Sequence, residues 1–312
     1  MRNECDAGDS VDEVVGGDAV KTLGLVTMLV AQVVLAKGAL DVKLSGAELT
    51  TLQKEIAAAK KANPQAFVAV AQVRAQMAAI DTKKRGRFAP VTPRLNSIPN
   101  ATWALAEALA LDGALDPTLP LSAHIAWQSG LLEALGARRD VKTEAVLIAA
   151  LATESSPEVV RSAADGLGRL GTDGAATALI AAANERRGSA REAVLAGMGS
   201  CRRVSVAGFL ATQLNLSTFE KEQLAIVKSL SVIGNEWALE TPAGAPVKTE
   251  VPQLRAIAAG ALVKLFSETS GNVRQQASDA ILVVNAPETK VLLAQVRVKD
   301  PTAVDALLAK TR

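Results

Sequence analysis

At 312 residues the chain is long enough for one extended repeat domain or for two compact domains, so size alone decides little. Hydrophobic residues make up 49% of it but aromatics only 3%, with no tyrosine; the apolar mass is Ala, Leu and Val, which suits closely stacked helices and argues against a β-sandwich. The 34 basic and 32 acidic residues leave a formal charge of +2, against the strongly basic balance of a general nucleic-acid binder, and Cys5 and Cys201 lie too far apart to suggest a zinc site or a disulfide framework.

Residues 1–40 read as an amino-terminal segment. Thr22 to Ala36, TLGLVTMLVAQVVLA, is uncharged, short for a membrane span, and matched to the apolar core of a signal peptide. Lys21 precedes it, and Val34-Leu35-Ala36 offers a cleavage site. The preceding residues are acidic, with Glu4, Asp6, Asp9, Asp12, Glu13 and Asp18 where a signal peptide is basic. Both halves are accounted for if translation naturally starts at Val20, read as Met, and cleavage follows Ala36. The expectation is then a periplasmic or secreted protein that lacks Cys5 and spans no membrane. The alternative is a cytoplasmic chain in which 22–36 is a buried helix.

Residues 41–81 read as a helical hairpin. Ser45-Gly46-Ala47-Glu48 is a capping-box pattern opening a helix to about Lys61. Asn63-Pro64 opens a second, with Phe67, Val70, Val73, Met77 and Ile80 on one face. From 82 to 99 the periodicity stops. Lys83, Lys84, Arg85 and Arg87 are followed by Pro90, Pro93 and Pro99, the pattern of a linker. Residues 100–312 then show regular helix starts, at Asn100, Ser122, Ser156-Pro157, Thr172-Asp173, Ser189, Ser217, Asn272 and Asp300-Pro301. Ser217-Thr218-Phe219-Glu220 is a further capping-box candidate. Pro242, Gly244 and Pro246 predict a loop insertion over 237–250.

Four segments superimpose: VVRSAADGLGRLG (159–171), SAREAVLAGMGSC (189–201), KEQLAIVKSLSVIG (221–234) and NVRQQASDAILVVN (272–285). SAHIAWQSGLLEALG (122–136) joins them less faithfully. Arg191 follows Arg161 by 30 residues, the length of one helix-turn-helix unit that buries its apolar face only when a neighbour stacks on it. Val160-Arg161-Ser162-Ala163-Ala164-Asp165-Gly166-Leu167-Gly168-Arg169-Leu170-Gly171 resembles the first helix of the short HEAT-like repeats of the phycobilisome-lyase type. The resemblance covers about residues 119–300 and is strongest in that unit. It implies an all-α fold, an α-α superhelix or HEAT-like solenoid preceded by the hairpin. It also implies that Arg161, Arg191 and Arg274 bridge to acidic groups or carbonyls of adjacent units, with Asp165 and Asp173 as candidate acceptors. An anion-binding ladder of the same arginines is the functional alternative.

Chemistry is sparsely represented. His124 is the single histidine, at a helix start, so no ligand cluster or catalytic pair forms around it, and no cofactor or metal motif appears. Cys201 lies beside Arg202 and Arg203, which would favour a thiolate, yet no partner base accompanies it. Trp103, Trp127, Asp112 and Asp116 are the residue types that a HEAT-like DNA glycosylase uses, without a matching spacing. The recurrent pairs Arg138-Arg139, Arg186-Arg187 and Arg202-Arg203 each follow a helix body, where they complement the helix dipole; on one edge they would form a basic stripe for an acidic protein or a lipid headgroup. Trp237, in the insertion, is the aromatic expected to be an exposed binding anchor. The composite expectation is a non-catalytic scaffold for a protein partner, with nucleic acid disfavoured. A HEAT-fold glycosylase or bilin lyase and a self-stacking structural component are the alternatives.

Overall fold

The computed structural model describes residues 43–83, 88–111, 119–241 and 248–311. Residues 20–36 and their signal-peptide reading, the basic run 84–87, and Asp112 and Asp116 lie outside the described residues. The described residues belong to a single unit.

The first elements are α1 (Gly46–Ala62), α2 (Pro64–Ala75), α3 (Met77–Thr82), α4 (Thr92–Asn96) and α5 (Thr102–Ala110). Both halves of the capping box at α1 are made: the Ser45 amide donates to Glu48 Oε2 at 2.8 Å and the Glu48 amide to Ser45 Oγ at 3.3 Å. Asn63 does not cap α2; its side chain turns away and donates to the Pro99 carbonyl at 3.4 Å. Residues 88–98, where prolines suggest a connector, are largely core. Ala89, Val91, Leu95 and Ile98 are buried, and α4 carries Pro93 in its first turn, where a missing N–H costs nothing.

Next come α6 (Leu121–Arg138), a 3₁₀ turn at Val141–Thr143, α7 (Glu144–Thr153), α8 (Pro157–Leu170), α9 (Asp173–Glu185) and α10 (Gly188–Gly197), continued by a 3₁₀ turn at Met198–Ser200. The chain closes with α11 (Val204–Leu216), α12 (Glu220–Ile233), α13 (Glu236–Glu240), α14 (Val251–Glu268), α15 (Gly271–Val284), α16 (Thr289–Val296) and α17 (Pro301–Leu308). No strand occurs among the described residues. Thr172 accepts from the Ala175 amide at 3.0 Å and Asp300 from the Ala303 amide at 3.1 Å, as side-chain caps should. The expected box at Ser217 is absent. Phe219 is the N-cap of α12, while Ser217 donates to Glu222 at 3.1 Å and Glu220 accepts from Asn272 at 3.1 Å.

These helices form two rows. In one, which we call the A row, α4, α6, α8, α10, α12 and α15 pack successively side by side; in the B row α1, α5, α7, α9, α11, α14 and α16 do the same. From α5 to α14 each B helix also packs on the A helix that follows it, as α7 does on α8 and α11 on α12. The core is one continuous cluster between the rows, in which α8 buries Val159, Val160, Ala163, Ala164 and Leu167 while Arg161 on its far side is exposed.

Glycine sets the spacing of the A row. A Cβ on Gly136 of α6 would stand 2.3 Å from Gly166 Cα on α8, and one on Gly166 would stand 2.6 Å from the Leu132 carbonyl oxygen. The pattern recurs one unit on, where a Cβ on Gly197 would stand 2.6 Å from Ala164 Cβ. Backbone thus packs directly on backbone, which explains both the glycines of the repeat and the rarity of large aromatics.

Candidate functional site

Three arginines join neighbouring helices through their carboxyl ends. Arg138 donates through Nη2 to the carbonyls of Leu95 at 3.1 Å, Asn96 at 3.2 Å and Ile98 at 2.7 Å, closing the carboxyl end of α4. Arg186 does the same for α7, donating to the Glu154 carbonyl at 2.9 Å and to that of Leu151. Arg255 donates to the carbonyls of Val284 and Asn285 behind α15. These arginines satisfy the last carbonyls of a neighbouring helix, not of their own.

The other paired arginines divide. Arg187 donates to the Asn184 carbonyl at 2.5 Å, and Arg203 meets both Asp173 and Glu250, the latter at 3.3 Å. Arg139 is exposed and Arg202 half-buried. Arg138-Arg139 and Arg202-Arg203 stand in turns from an A helix to a B helix, whereas Arg186-Arg187 stand in the turn from α9 to α10, on the opposite edge. The three pairs therefore do not make one stripe. Trp237 lies on the edge of the first two, in α13, and is 65% exposed.

Among the residues expected to bridge units, Arg191 pairs with Glu222 and Arg274 with Asp300 at 2.8 Å, while Arg161 points outward and Asp165 receives Arg169 at 2.8 Å instead. Asp173 serves Arg203. Trp127 is buried in α6, and Trp103 is partly buried against the core. His124 is partly buried in the first turn of α6. Burial pushes the Cys201 thiol up to about 12, outweighing the opposing pull of Arg203, and Glu250 and Asp173 add to the rise. The lowering that the adjacent arginines would favour does not occur, because desolvation exceeds the benefit of a neighbouring cation. Among the described residues no group of three or more His, Cys, Asp and Glu side chains is placed to hold a metal ion.

A groove of about 800 Å³ opens between the α9–α10 turn and the α11–α12 turn. Its floor holds Arg191 and Glu222, and its rim carries Leu216 and Phe219, 70% and 71% exposed. Sequence reading missed this rim. Phe219 falls in a segment that reads as a helix cap, and Leu216 continues the apolar periodicity of α11, so both read as ordinary helix residues.

Residues 121–199, from α6 to the 3₁₀ turn behind α10, match the family model of HEAT repeats. The chain is a HEAT-like helical repeat protein. No curated protein matches it at a significant level. Beyond the matched stretch, the HEAT-like rows continue through α12 and α15, which contain the segments 221–234 and 272–285 that align in sequence with α8. HEAT repeats commonly serve as protein-interaction scaffolds. No helix of the described residues is long and apolar enough to cross a membrane.

Proposed function

We propose that this HEAT-like protein is a non-catalytic scaffold that holds a protein partner on its repeat surface. One observation carries the reading: Leu216, Phe219 and Trp237 stay about two-thirds exposed at the turns, where the core has no use for them, while ion pairs such as Arg191–Glu222, Arg203–Glu250 and Arg255–Glu236 are taken up in joining helices. Phe219 at the rim of an open groove and Trp237 on the other edge are large exposed aromatic side chains that suit the anchoring of another protein. An enzyme needs convergent acid, base or nucleophile groups, and the single histidine lies in α6 while the buried thiol lies behind α10.

A photoreactive amino acid placed at 219 or 237 in the native host tests this. Discrete protein adducts from these positions, absent when the probe replaces exposed Lys54, are expected; adducts from neither position would overturn the reading. Export is part of the proposal, resting on the uncharged run Thr22 to Ala36. An amino terminus near Lys37 in a periplasmic or extracellular fraction is expected, and an uncleaved chain in the cytosol would remove that part.

A further inference from the structure

The turns from A helices to B helices lie side by side. The Gly136–Gly166 contact joins the ends of α6 and α8, and a Cβ on Gly168 would stand 2.9 Å from the Cys201 amide, joining α8 to the segment behind α10. Three arginines are thereby brought onto one edge: Arg139 behind α6, Arg169 in the last turn of α8, and Arg202. Arg169 is steadied by Asp165 at 2.8 Å, and Ser200 donates to the same carboxylate, linking it to the neighbouring unit. Arg202 is poorly satisfied: its Nη1 reaches the Ala238 carbonyl only at 3.5 Å, and its Nε is buried without an acceptor. Burial, and then the positive charges of Arg139 and Arg169, disfavour its protonated form, so this point of the edge is short of negative charge. Trp237, beside Ala238, closes the row with an exposed ring.

We propose that Arg139, Arg169, Arg202 and Trp237 form a docking strip for an extended acidic segment of a protein partner, with carboxylates on the guanidinium groups and an apolar side chain against the indole. This rests on the scaffold reading and supplies the chemistry of the partner. Packed helices lie about 10 Å apart, and an extended chain advances about 3.4 Å per residue. Acidic residues at every third position therefore match the arginines, and an apolar residue follows at the Trp237 end. A nucleic acid fits less well, because Asp165 within the strip and Asp140 next to Arg139 interrupt the positive surface that a continuous phosphate backbone follows.

The probe is a labelled synthetic peptide with glutamate at every third position and leucine at both ends, titrated by fluorescence anisotropy into the full chain. A twin peptide with glutamine for glutamate and a labelled oligothymidylate are titrated beside it. Binding of the glutamate peptide is expected to weaken by about tenfold or more with the glutamine twin and with Arg139→Glu, and by several-fold with Trp237→Ala. Both variants change exposed side chains, and unchanged thermal unfolding confirms their fold. Absence of peptide binding, equal binding of the two peptides, or indifference to both variants would overturn the strip. Preferential binding of oligothymidylate, lost in Arg139→Glu, would replace it with a nucleic-acid surface. Protein adducts from positions 219 or 237 that persist in Arg139→Glu would leave the scaffold reading standing while the strip falls.

Discussion

Arg191 of α10 meets Glu222 of α12 at 2.5 Å with only 16% and 14% of the two side chains exposed. The same guanidinium donates to Gln213 of α11 at 2.7 Å and to the Ala183 carbonyl of α9, so one side chain ties four consecutive helices. Removing either partner strands a charge in a poorly hydrated site. Arg191→Ala and Glu222→Ala should each cost about 3 kcal/mol or more, and the double variant much less than their sum. Urea denaturation of all three checks this; single losses below about 1 kcal/mol would mean that the pair behaves as a surface bridge.

The glycines make a paired prediction. Gly166→Ala places a methyl 2.6 Å from the Leu132 carbonyl oxygen, a backbone atom that cannot rotate away, so α6 and α8 must separate and the protein should lose about 1–3 kcal/mol. Gly208 in α11 and Gly260 in α14 have nothing within 4 Å of a built Cβ. There Ala should stabilise by about 0.5–1 kcal/mol through helix propensity. Opposite signs in thermal unfolding are expected; a neutral Gly166→Ala would show that the A row is not set by backbone contact.

Features whose partners lie within a few residues were legible in the sequence. The Ser45–Glu48 box and the Thr172 and Asp300 caps are i to i+3 bonds, visible as spacing. Ser217–Glu220 has the same spacing and fails, because Glu220 and Glu222 are claimed from afar by Asn272 and Arg191. Residues 88–98 read as connector because prolines break the helical period. Their burial comes from packing against α6, 40 residues on, which no local pattern encodes. The arginine pairs show the same limit: sequence places each at a helix end, but which edge that end occupies depends on the order of stacking.

Cys201 gives a chemical prediction. With its folded pKa raised to about 12 and its side chain buried, the thiol should resist an alkylating or disulfide reagent at pH 8 and react only on unfolding. The raised value also has a sign for stability. Between the unfolded thiol's pKa and the folded one only the unfolded chain ionises, so stability is lost as pH rises through that window, by about 1.4 kcal/mol per pH unit. Cys201→Ala should flatten this alkaline slope, and an unchanged slope would assign it to other groups.

Glu154 behaves in the same sense at acid pH. Burial raises its carboxyl above the ordinary value, opposed by the nearby Arg186 charge. A folded pKa above the unfolded one means that its contribution is fully present below the unfolded value and is lost as pH rises through the folded value. Glu154→Gln keeps an oxygen for the Gln128 amide, which donates to Oε1 at 3.2 Å, and removes the buried charge. The variant should melt higher than the parent at pH 7, and the gain should vanish near pH 4; a lower melting temperature at pH 7 would mean that Arg186 outweighs desolvation.

Arg138 decides whether the amino-terminal helices fold as part of the array. Its Nη2 is shared by three carbonyls, of Leu95, Asn96 and Ile98, at the point where α4 ends and the chain turns toward α5. Without it those carbonyls, partly buried against α6, lose a charged donor worth about 1.5–3 kcal/mol. The loss should be local. Thr92 still donates to Glu133 at 2.6 Å, and the packing of α10, α12 and α15 on one another does not run through α4. Hydrogen exchange should therefore accelerate across α4 and α5 in Arg138→Ala while the amides of α10 to α15 keep their protection. Uniform loss of protection in Arg138→Ala would show instead that the whole array unfolds as one cooperative unit.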